Sequence, residues 1–295
     1  MPDIMRAILL VVLGSFLFML ADLFMKLSTQ TLSLGLVTFL LGAGMAVFFF
    51  VLMRRAGEGL FDRKYLHFAM AMRCVGEALG ILGVMTALAN APLSTVTALM
   101  QSLPLVLTCM GALFLKEPVG WRRILALLAG LIGVLIIIRP GMEGFNAFAT
   151  LTLVGVAGMA IRDFGTRIMP REISTPALSF FGSVTILLTG LVLMALSAEQ
   201  SIPRGIGLVH VAALIAVGSL GTLAISTAMR LGDVSAISPF RYVRVVFGVG
   251  AGILVFGETV DLPILLGSAI VVGAGLYSWN RERKLARASV APEST

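Results

Sequence analysis

Long apolar runs separated by short polar connections fill nearly the whole chain. A helix needs about 20 apolar residues to cross the roughly 30 Å hydrocarbon core of a bilayer, and each run reaches about that length. The pattern therefore predicts an all-α integral membrane protein with ten transmembrane helices. The predicted spans are 4–27, 31–53, 67–89, 93–115, 121–138, 148–169, 174–196, 207–230, 234–256 and 262–279.

The composition supports this fold class. Hydrophobic residues make up 58% of the 295 residues and charged residues only 13%, whereas about a quarter of the residues of an ordinary soluble domain are charged. Too little polar chain remains for a separate soluble catalytic domain. The polar residues 281–295 are predicted to form a disordered cytoplasmic tail.

Basic residues are distributed unevenly between the two sides of the predicted bundle. With the N-terminus placed in the cytoplasm, 15 of them fall inside and three outside, namely Lys26, Arg139 and Arg204. Because cytoplasmic loops carry the excess of Lys and Arg, we expect a multi-pass protein of the cell inner membrane with both termini cytoplasmic. This topology accounts for the net charge of +7, so no nucleic-acid partner is expected.

An internal repeat relates the two halves of the chain. A shift of 141 residues aligns "DLFMK" with "DFGTR" and "FLKEPV" with "VFGETV", and it pairs Ser94 with Ser235 and Glu117 with Glu258. We therefore predict two five-helix repeats, residues 1–141 and 142–280, followed by the tail. Because five is an odd number, the second repeat enters the membrane inverted, as in many secondary transporters.

These features resemble those of a known family. Two inverted sets of five helices, with a Glu closing predicted helices 4 and 9, resemble the EamA type of the drug/metabolite transporter superfamily over residues 4–280. The stretches "RDFGTRIMP" and "SPFRYVRVVFGVGAGILVFGE" are similar to a bacterial subgroup named as S-adenosylmethionine or riboflavin uptake proteins. The resemblance implies a central cavity lined by helices 1, 3, 4, 6, 8 and 9, with helices 5 and 10 at the periphery.

Ionisable residues within the spans are concentrated in predicted helices 1, 3, 6 and 9. Such residues avoid lipid, face one another and mark transport pathways. Six of the nine are basic and three are acidic, and a surplus of positive charge suits an anionic or zwitterionic ligand. The nine are Asp22, Lys26, Arg73, Glu77, Arg162, Asp163, Arg167, Arg241 and Arg244.

Three acid–base pairs among them are spaced four residues apart, so each can form within one helical face. The first and third pairs occupy equivalent repeat positions near opposite ends of the cavity, where we predict gating or proton-coupling roles. For Arg162, which lies nearer the cytoplasmic end, snorkelling to the interface is an alternative. The three pairs are Asp22 with Lys26, Arg73 with Glu77, and Asp163 with Arg167.

Two arginines of predicted helix 9 have no such partner. The repeat equivalents of Arg241 and Arg244 are the uncharged Met100 and Leu103, so the fold itself does not require arginine there. Ligand binding is one explanation, and a structural bridge to Glu77 is the other. A neighbouring tyrosine can stack on a flat ligand or serve only packing. The predicted substrate-binding residues are Arg241, Arg244, Tyr242, Glu77 and Arg73.

Proline interrupts both helices that the repeat pairs as 4 and 9. Pro104 and Pro239 each remove a backbone hydrogen bond to the carbonyl four residues earlier. We predict helix kinks at both, with the second turning the arginines inward. Membrane helices also tolerate proline without such a role.

The sequence thus predicts a secondary transporter working by alternating access on a small polar metabolite. From the resemblance, S-adenosylmethionine, riboflavin and amino-acid-like compounds are the candidate substrates. Export of amino acids or drugs, a channel, and an intramembrane enzyme with Glu77 as base are the alternatives. Only two histidines are present, His67 and His210, without HExxH or GxSxG motifs, so no enzyme, cofactor or metal is expected. The expected partners are the substrate and the lipid bilayer, and a homodimer stays open.

Overall fold

The computed structural model describes residues 2–114, 121–139, 146–170, 172–196, 205–231 and 238–290. Every regular element in these ranges is helical, which confirms the all-α part of the predicted fold class. Short 3₁₀ turns cover Arg63–Tyr65 and Ser238–Tyr242. The α-helices are α1 (Pro2–Thr29), α2 (Leu34–Arg55), α3 (Phe68–Asn90), α4 (Leu93–Met100), α5 (Leu103–Phe114), α6 (Trp121–Ile138), α7 (Ala147–Arg167), α8 (Thr175–Leu196), α9 (Ile206–Leu231), α10 (Val243–Phe256) and α11 (Leu262–Val290).

Six of the described helices are long and apolar enough to cross a bilayer, namely α1, α2, α3, α7, α8 and α9. Shorter apolar stretches lie at Leu93–Leu107, Ile124–Ile138 and Leu262–Tyr277. The chain is therefore a multi-pass membrane protein. Its α2–α3 connection lies at the end that the sequence predicts to be cytoplasmic, and the α1–α2 and α3–α4 connections lie at the predicted outer end.

The fourth predicted span, 93–115, is two helices rather than one. α4 ends at Met100 and α5 begins at Leu103, with Gln101 and Ser102 in a buried turn between them. Pro104 is the second residue of α5, where a missing backbone N–H leaves no helical bond unmade. The chain thus leaves helical geometry just before the proline instead of bending through it.

The end of the chain also differs from the sequence expectation. α11 continues to Val290, so the prediction of a disordered tail is wrong for residues 281–290. The segment RERKLARASV is rich in Arg, Glu, Lys, Leu and Ala, which are strong helix formers, and polarity alone does not stop a helix. Residues 291–295 and the predicted repeat boundary at 141/142 lie outside the described residues.

Helices pair across the two halves of the chain. The most extensive contacts are α3 with α7, α2 with α8 and α1 with α9, followed by α6 with α11 and α4 with α10. Glycines bring α3 and α7 together. A Cβ atom on Gly76 would overlap the backbone of Arg162, and one on Gly158 would overlap the backbone of Gly80. Small residues of this kind let membrane helices approach backbone to backbone, so the charged side chains of α3 and α7 are held close together.

We predict that Gly158→Ala lowers the stability of the protein, because its new methyl group meets backbone atoms that cannot rotate away. Overpacking of this kind costs about 1 to 3 kcal/mol. The measurement is the fraction of monodisperse protein that survives heating in detergent. Gly250→Ala is the matched control, since it also lies inside a helix but has no atom within 4 Å of the new Cβ position. Equal melting of the two variants would contradict the close α3–α7 contact.

Candidate functional site

Four charged side chains of α3 and α7 form one network. Arg162 Nη1 lies 3.4 Å from Glu77 Oε1 and its Nε donates to Asp163 Oδ1 at 2.8 Å. Arg73 Nη2 lies 3.8 Å from Glu77 Oε2 in the ion pair that the helical spacing predicts. The snorkelling alternative for Arg162 is therefore wrong, because this side chain turns inward to two carboxylates. Arg162 of α7 can reach Glu77 of α3 because glycines let these two helices approach closely.

Arg73 uses most of its donors within the fold. Its Nη1 donates to Thr166 Oγ1 at 2.7 Å and its Nε to the carbonyl oxygen of Leu178 at 3.3 Å. Gly182 of α8 makes room for the pair, since a Cβ there would lie 3.1 Å from Glu77 Oε2. Arg73 therefore ties α3 to α7 and α8, and it holds Glu77 in place.

Arg241 differs from the other arginines of this region. It lies in the 3₁₀ turn before α10, within electrostatic reach of Asp163, Arg162 and Arg244. Among the described residues, no hydrogen bond or ion pair reaches its guanidinium. Three basic residues then face two acidic ones in this part of the bundle, which leaves one positive charge without a matching carboxylate. The five are Arg73, Arg162, Arg241, Glu77 and Asp163.

Arg244 forms an ion pair with Asp22, which joins α10 to α1. The phenyl ring of Phe18 lies 5.4 Å from its guanidinium carbon. Its Nε is buried and has no hydrogen-bond partner in the described part of the chain. The prediction that Asp22 pairs with Lys26 is thus wrong, and so is the alternative bridge from Arg244 to Glu77. Asp22 on α1 and Arg244 on α10 pair instead with each other, although they are far apart in sequence.

The partner of Lys26 is Glu258, at the predicted outer end. Lys26 Nζ donates to Glu258 Oε1 at 2.9 Å and to the carbonyl oxygen of Ala91 at 2.7 Å. Gly257, in the left-handed region with φ 62°, ends α10 and turns the chain so that Glu258 follows at this position. Glycine adopts that conformation without a steric penalty, and it commonly ends helices in this way.

The carboxylate of Glu258 also caps α4. It accepts hydrogen bonds from the backbone N–H of Leu93 at 2.6 Å, and from the N–H and hydroxyl of Ser94 at 3.0 and 2.7 Å. A carboxylate at a helix N-terminus satisfies unpaired N–H groups and the positive end of the helix dipole. Burial alone would raise the pKa of Glu258, but the bonds from Ser94, Lys26 and Leu93 outweigh it and lower the pKa.

Four predicted site residues remain, namely Tyr242, Asp163, Arg167 and Pro239. Tyr242 is buried against α11, where a Cβ on Gly275 would overlap its hydroxyl oxygen, so the packing alternative describes its position. Asp163 bonds to Arg162, and the side chain of Arg167, its predicted partner, lies outside the described residues, as does that of Pro239.

Sequence reasoning missed the role of Glu258 and Ser94. The signal was available, because both residues recur at equivalent repeat positions, as Glu117 and Ser235. That recurrence indicated a duplication, but a residue's position in a repeat does not predict which other residue it contacts. Only the fold brings the end of α10 to the start of α4.

Residues 5–139 of the chain match the EamA-like transporter family, which confirms the predicted resemblance for the first half of the chain. The S-adenosylmethionine uptake transporter of Rickettsia felis is 26% identical to this chain over 66% of this chain's length and 65% of the transporter's length. This chain therefore spans just under two thirds of that relative. The riboflavin transporter of Vibrio cholerae is 29% identical over 64% of this chain and 63% of its own. The pseudopaline exporter CntI of Pseudomonas aeruginosa PAO1 is 25% identical over 92% and 95%. These are names of membrane transporters of small molecules.

A solved crystal structure of a protein supports the fold. It superposes with a TM-score of 0.62 at 19% identity, covering 96% of this chain and 99% of that one. At this identity the likeness concerns the fold alone.

We predict that Asp22 and Arg244 are energetically coupled. Asp22→Asn leaves the Arg244 cation buried without a counter-charge, and Arg244→Gln leaves the carboxylate alone. Breaking a buried ion pair costs about 3 to 5 kcal/mol, whereas removing both charges costs less. In a double-mutant cycle measured by unfolding in detergent, the Asp22→Asn/Arg244→Gln variant should lose less than the sum of the single losses.

The matched control for this cycle is Asp261→Asn. Its side chain is 46% exposed and pairs with Arg139 at the predicted outer end. A pair so exposed contributes about 1 kcal/mol or less. Strictly additive losses at Asp22 and Arg244 would show that the two side chains do not interact.

Proposed function

We propose that this chain, whose residues 5–139 belong to the EamA-like transporter family, is a secondary transporter of the cell inner membrane. It moves a small metabolite bearing a carboxylate, in anionic or zwitterionic form, by alternating access.

The helix contacts support an inverted repeat. The 141-residue shift relates α1 to α7, α2 to α8, α3 to α9 and α6 to α11. Under that exchange the α1–α9 contact becomes the α7–α3 contact, while α2–α8 and α6–α11 map onto themselves. The same shift places the break at Gln101 opposite Tyr242, the last residue of the second 3₁₀ turn. A pseudo-two-fold axis in the membrane plane produces this pattern, and interrupted helices near that axis commonly form substrate sites.

The observation that carries the ligand proposal is the unmatched charge of Arg241. A half-buried guanidinium without a matching carboxylate is costly, and a ligand carboxylate would supply the missing partner through two parallel hydrogen bonds. The unsatisfied Nε of Arg244, at the start of α10, offers another donor three residues further along the chain. Arg241 lies in the 3₁₀ turn that forms the break in the second half, and Arg244 closely follows it. We therefore assign ligand binding to Arg241, assisted by Arg244, and a positioning role to Arg73 and Glu77.

We predict that Arg241→Gln reduces transport by tenfold or more, since a charge-assisted bidentate bond contributes about 1.5 to 3 kcal/mol. Counterflow in proteoliposomes, with S-adenosylmethionine, riboflavin and amino acids as probes, measures this. Arg139→Gln is the matched control, because it removes a charge that pairs with the exposed Asp261 far from Arg241. Wild-type counterflow by a folded Arg241→Gln protein would rule out this ligand contact. Flux without saturation or counterflow would favour a channel.

Export is the second candidate for the direction of transport. The pseudopaline exporter aligns over 92% of this chain, compared with 66% for the S-adenosylmethionine uptake relative. Everted vesicles separate the two directions, because an exporter accumulates its substrate in them when energised and an importer does not.

The contacts of Glu258 form the closure of the predicted outer end in this proposal. Its carboxylate joins α1 through Lys26 and α4 through Ser94 to the segment after α10. Opening that end requires these contacts to separate. Because the pKa of Glu258 is lowered, its stabilising contribution is present above the unfolded value of about 4.3 and is lost only as the pH falls through the lowered value. The closure therefore persists at neutral pH. Proton coupling is assigned instead to the acids within the helices, namely Asp22, Glu77 and Asp163.

We predict that Lys26→Met and Glu258→Gln each favour the outward-open form. Thr97 is buried in α4 against Gly248 of α10, so separation of these helices exposes it. A Thr97→Cys reporter, in a background with Cys74 and Cys109 replaced by Ala, should react several-fold faster with an impermeant thiol reagent from the predicted outer side. Asp261→Asn is the control, because it breaks an ion pair at the same end between the peripheral α6–α11 helices. An unchanged labelling rate in both test variants would show that the contacts of Glu258 do not keep the predicted outer end closed.

A further inference from the structure

The segment between α2 and α3 displays three large apolar side chains to its surroundings. Phe61 is 100% exposed, Leu66 89% and Phe68 76%. Single exposed apolar residues are ordinary on protein surfaces, but three bulky ones within eight residues form a patch that calls for a partner. We call residues 54–68 the α2–α3 segment.

Uncompensated positive charge surrounds this patch. Both acidic residues of the segment pair with Lys64, whose Nζ lies 3.2 Å from Glu58 Oε2 and 3.6 Å from Asp62 Oδ2. Three exposed arginines then form no ion pair with any residue that the structure describes. They are Arg54, Arg55 and Arg63. The patch is therefore apolar with a basic rim.

The apolar side chains cannot simply fold inward, because the segment is fixed from beneath. Tyr65 is buried, its ring lies 4.8 Å from that of Phe181, and its hydroxyl donates to Glu58 Oε2 at 2.6 Å. The other carboxylate oxygen, Glu58 Oε1, accepts the backbone N–H of Ser174 at the start of α8, at 3.1 Å.

This anchor holds at neutral pH. Burial alone would raise the pKa of Glu58, but hydrogen bonds from Ser174, Tyr65 and Lys64 outweigh it and lower the pKa. A carboxylate with a lowered pKa keeps its stabilising bonds above about pH 4.3, and loses them as the pH falls through the lowered value. The patch is thus presented on a fixed support under physiological conditions.

We propose that the α2–α3 segment is a binding surface for anionic phospholipid headgroups. Two membrane-spanning helices end and begin here, at Arg55 and Phe68, so the segment lies at the level of the bilayer interface. Aromatic and leucine side chains insert into the interface, while arginines bind lipid phosphates. A zwitterionic headgroup offers no net negative charge to three unmatched arginines, so the surface prefers an anionic lipid. This inference does not depend on the transported substrate.

The test places a fluorescent reporter on the patch. Phe61→Trp is introduced after the two native tryptophans, Trp121 and Trp279, are replaced by Phe. The protein is reconstituted into vesicles that contain equal fractions of either brominated phosphatidylglycerol or brominated phosphatidylcholine. Bromine quenches tryptophan on contact, so we expect the anionic lipid to quench about twofold more strongly because it is enriched at basic surfaces.

Two matched variants complete the experiment. Phe148→Trp carries the reporter at the start of α7, at the opposite end of the bundle, where the side chain is 46% exposed; there both lipids should quench equally. Replacing Arg54, Arg55 and Arg63 by Gln in the Phe61→Trp protein should remove the preference while quenching persists. Equal quenching of Phe61→Trp by both lipids would overturn headgroup selection. Absence of quenching would show that the segment does not touch the bilayer, and would overturn the proposal entirely.

Discussion

Charge buried in an apolar bundle must meet an opposite charge or an aligned backbone dipole, and in this protein the partners lie on segments that are far apart in sequence. Asp22 takes a cation from α10, Glu77 takes one from α7, and Glu258 takes one from α1. The lipid around the bundle supplies no competing partner for these groups. Each ion pair joins two segments that are far apart in sequence. These ion pairs add partner-specific contacts to the glycine and apolar packing between the helices.

Much of the fold, and the identity of the charged residues, could be predicted from the sequence. The partners could not, for a physical reason. The i,i+4 spacing identifies partners only within one helix, and it therefore predicted a pair between Asp22 and Lys26. In the structure both side chains pair with residues of other segments instead. A hydropathy window also averages over Gln101 and Ser102, so it could not detect the break between α4 and α5. Polarity likewise predicted a disordered tail, although its residue types favour the continued helix.

The charge balance also changes once contacts are known. Counted along the sequence, the spans hold three more basic than acidic residues. Glu258, which follows its helix rather than lying in it, neutralises Lys26, and Arg167 has no described side chain. In the described centre a single surplus cation remains, that of Arg241. Under the proposed function, this single surplus cation would match one negative group on the ligand rather than several.

Three of the helix contacts are nested along the sequence, each pair enclosed by the next, whereas the α4–α10 and α6–α11 contacts cross them. α3 packs on α7, α2 on α8 outside it, and α1 on α9 outside both. During synthesis, the first three helices enter the bilayer long before the helices that cover their glycine-lined faces exist. Because shorter loops cost less entropy to close, the innermost α3–α7 pair is expected to form first. Until the later helices arrive, the glycine-lined faces of the early helices meet lipid or other membrane proteins.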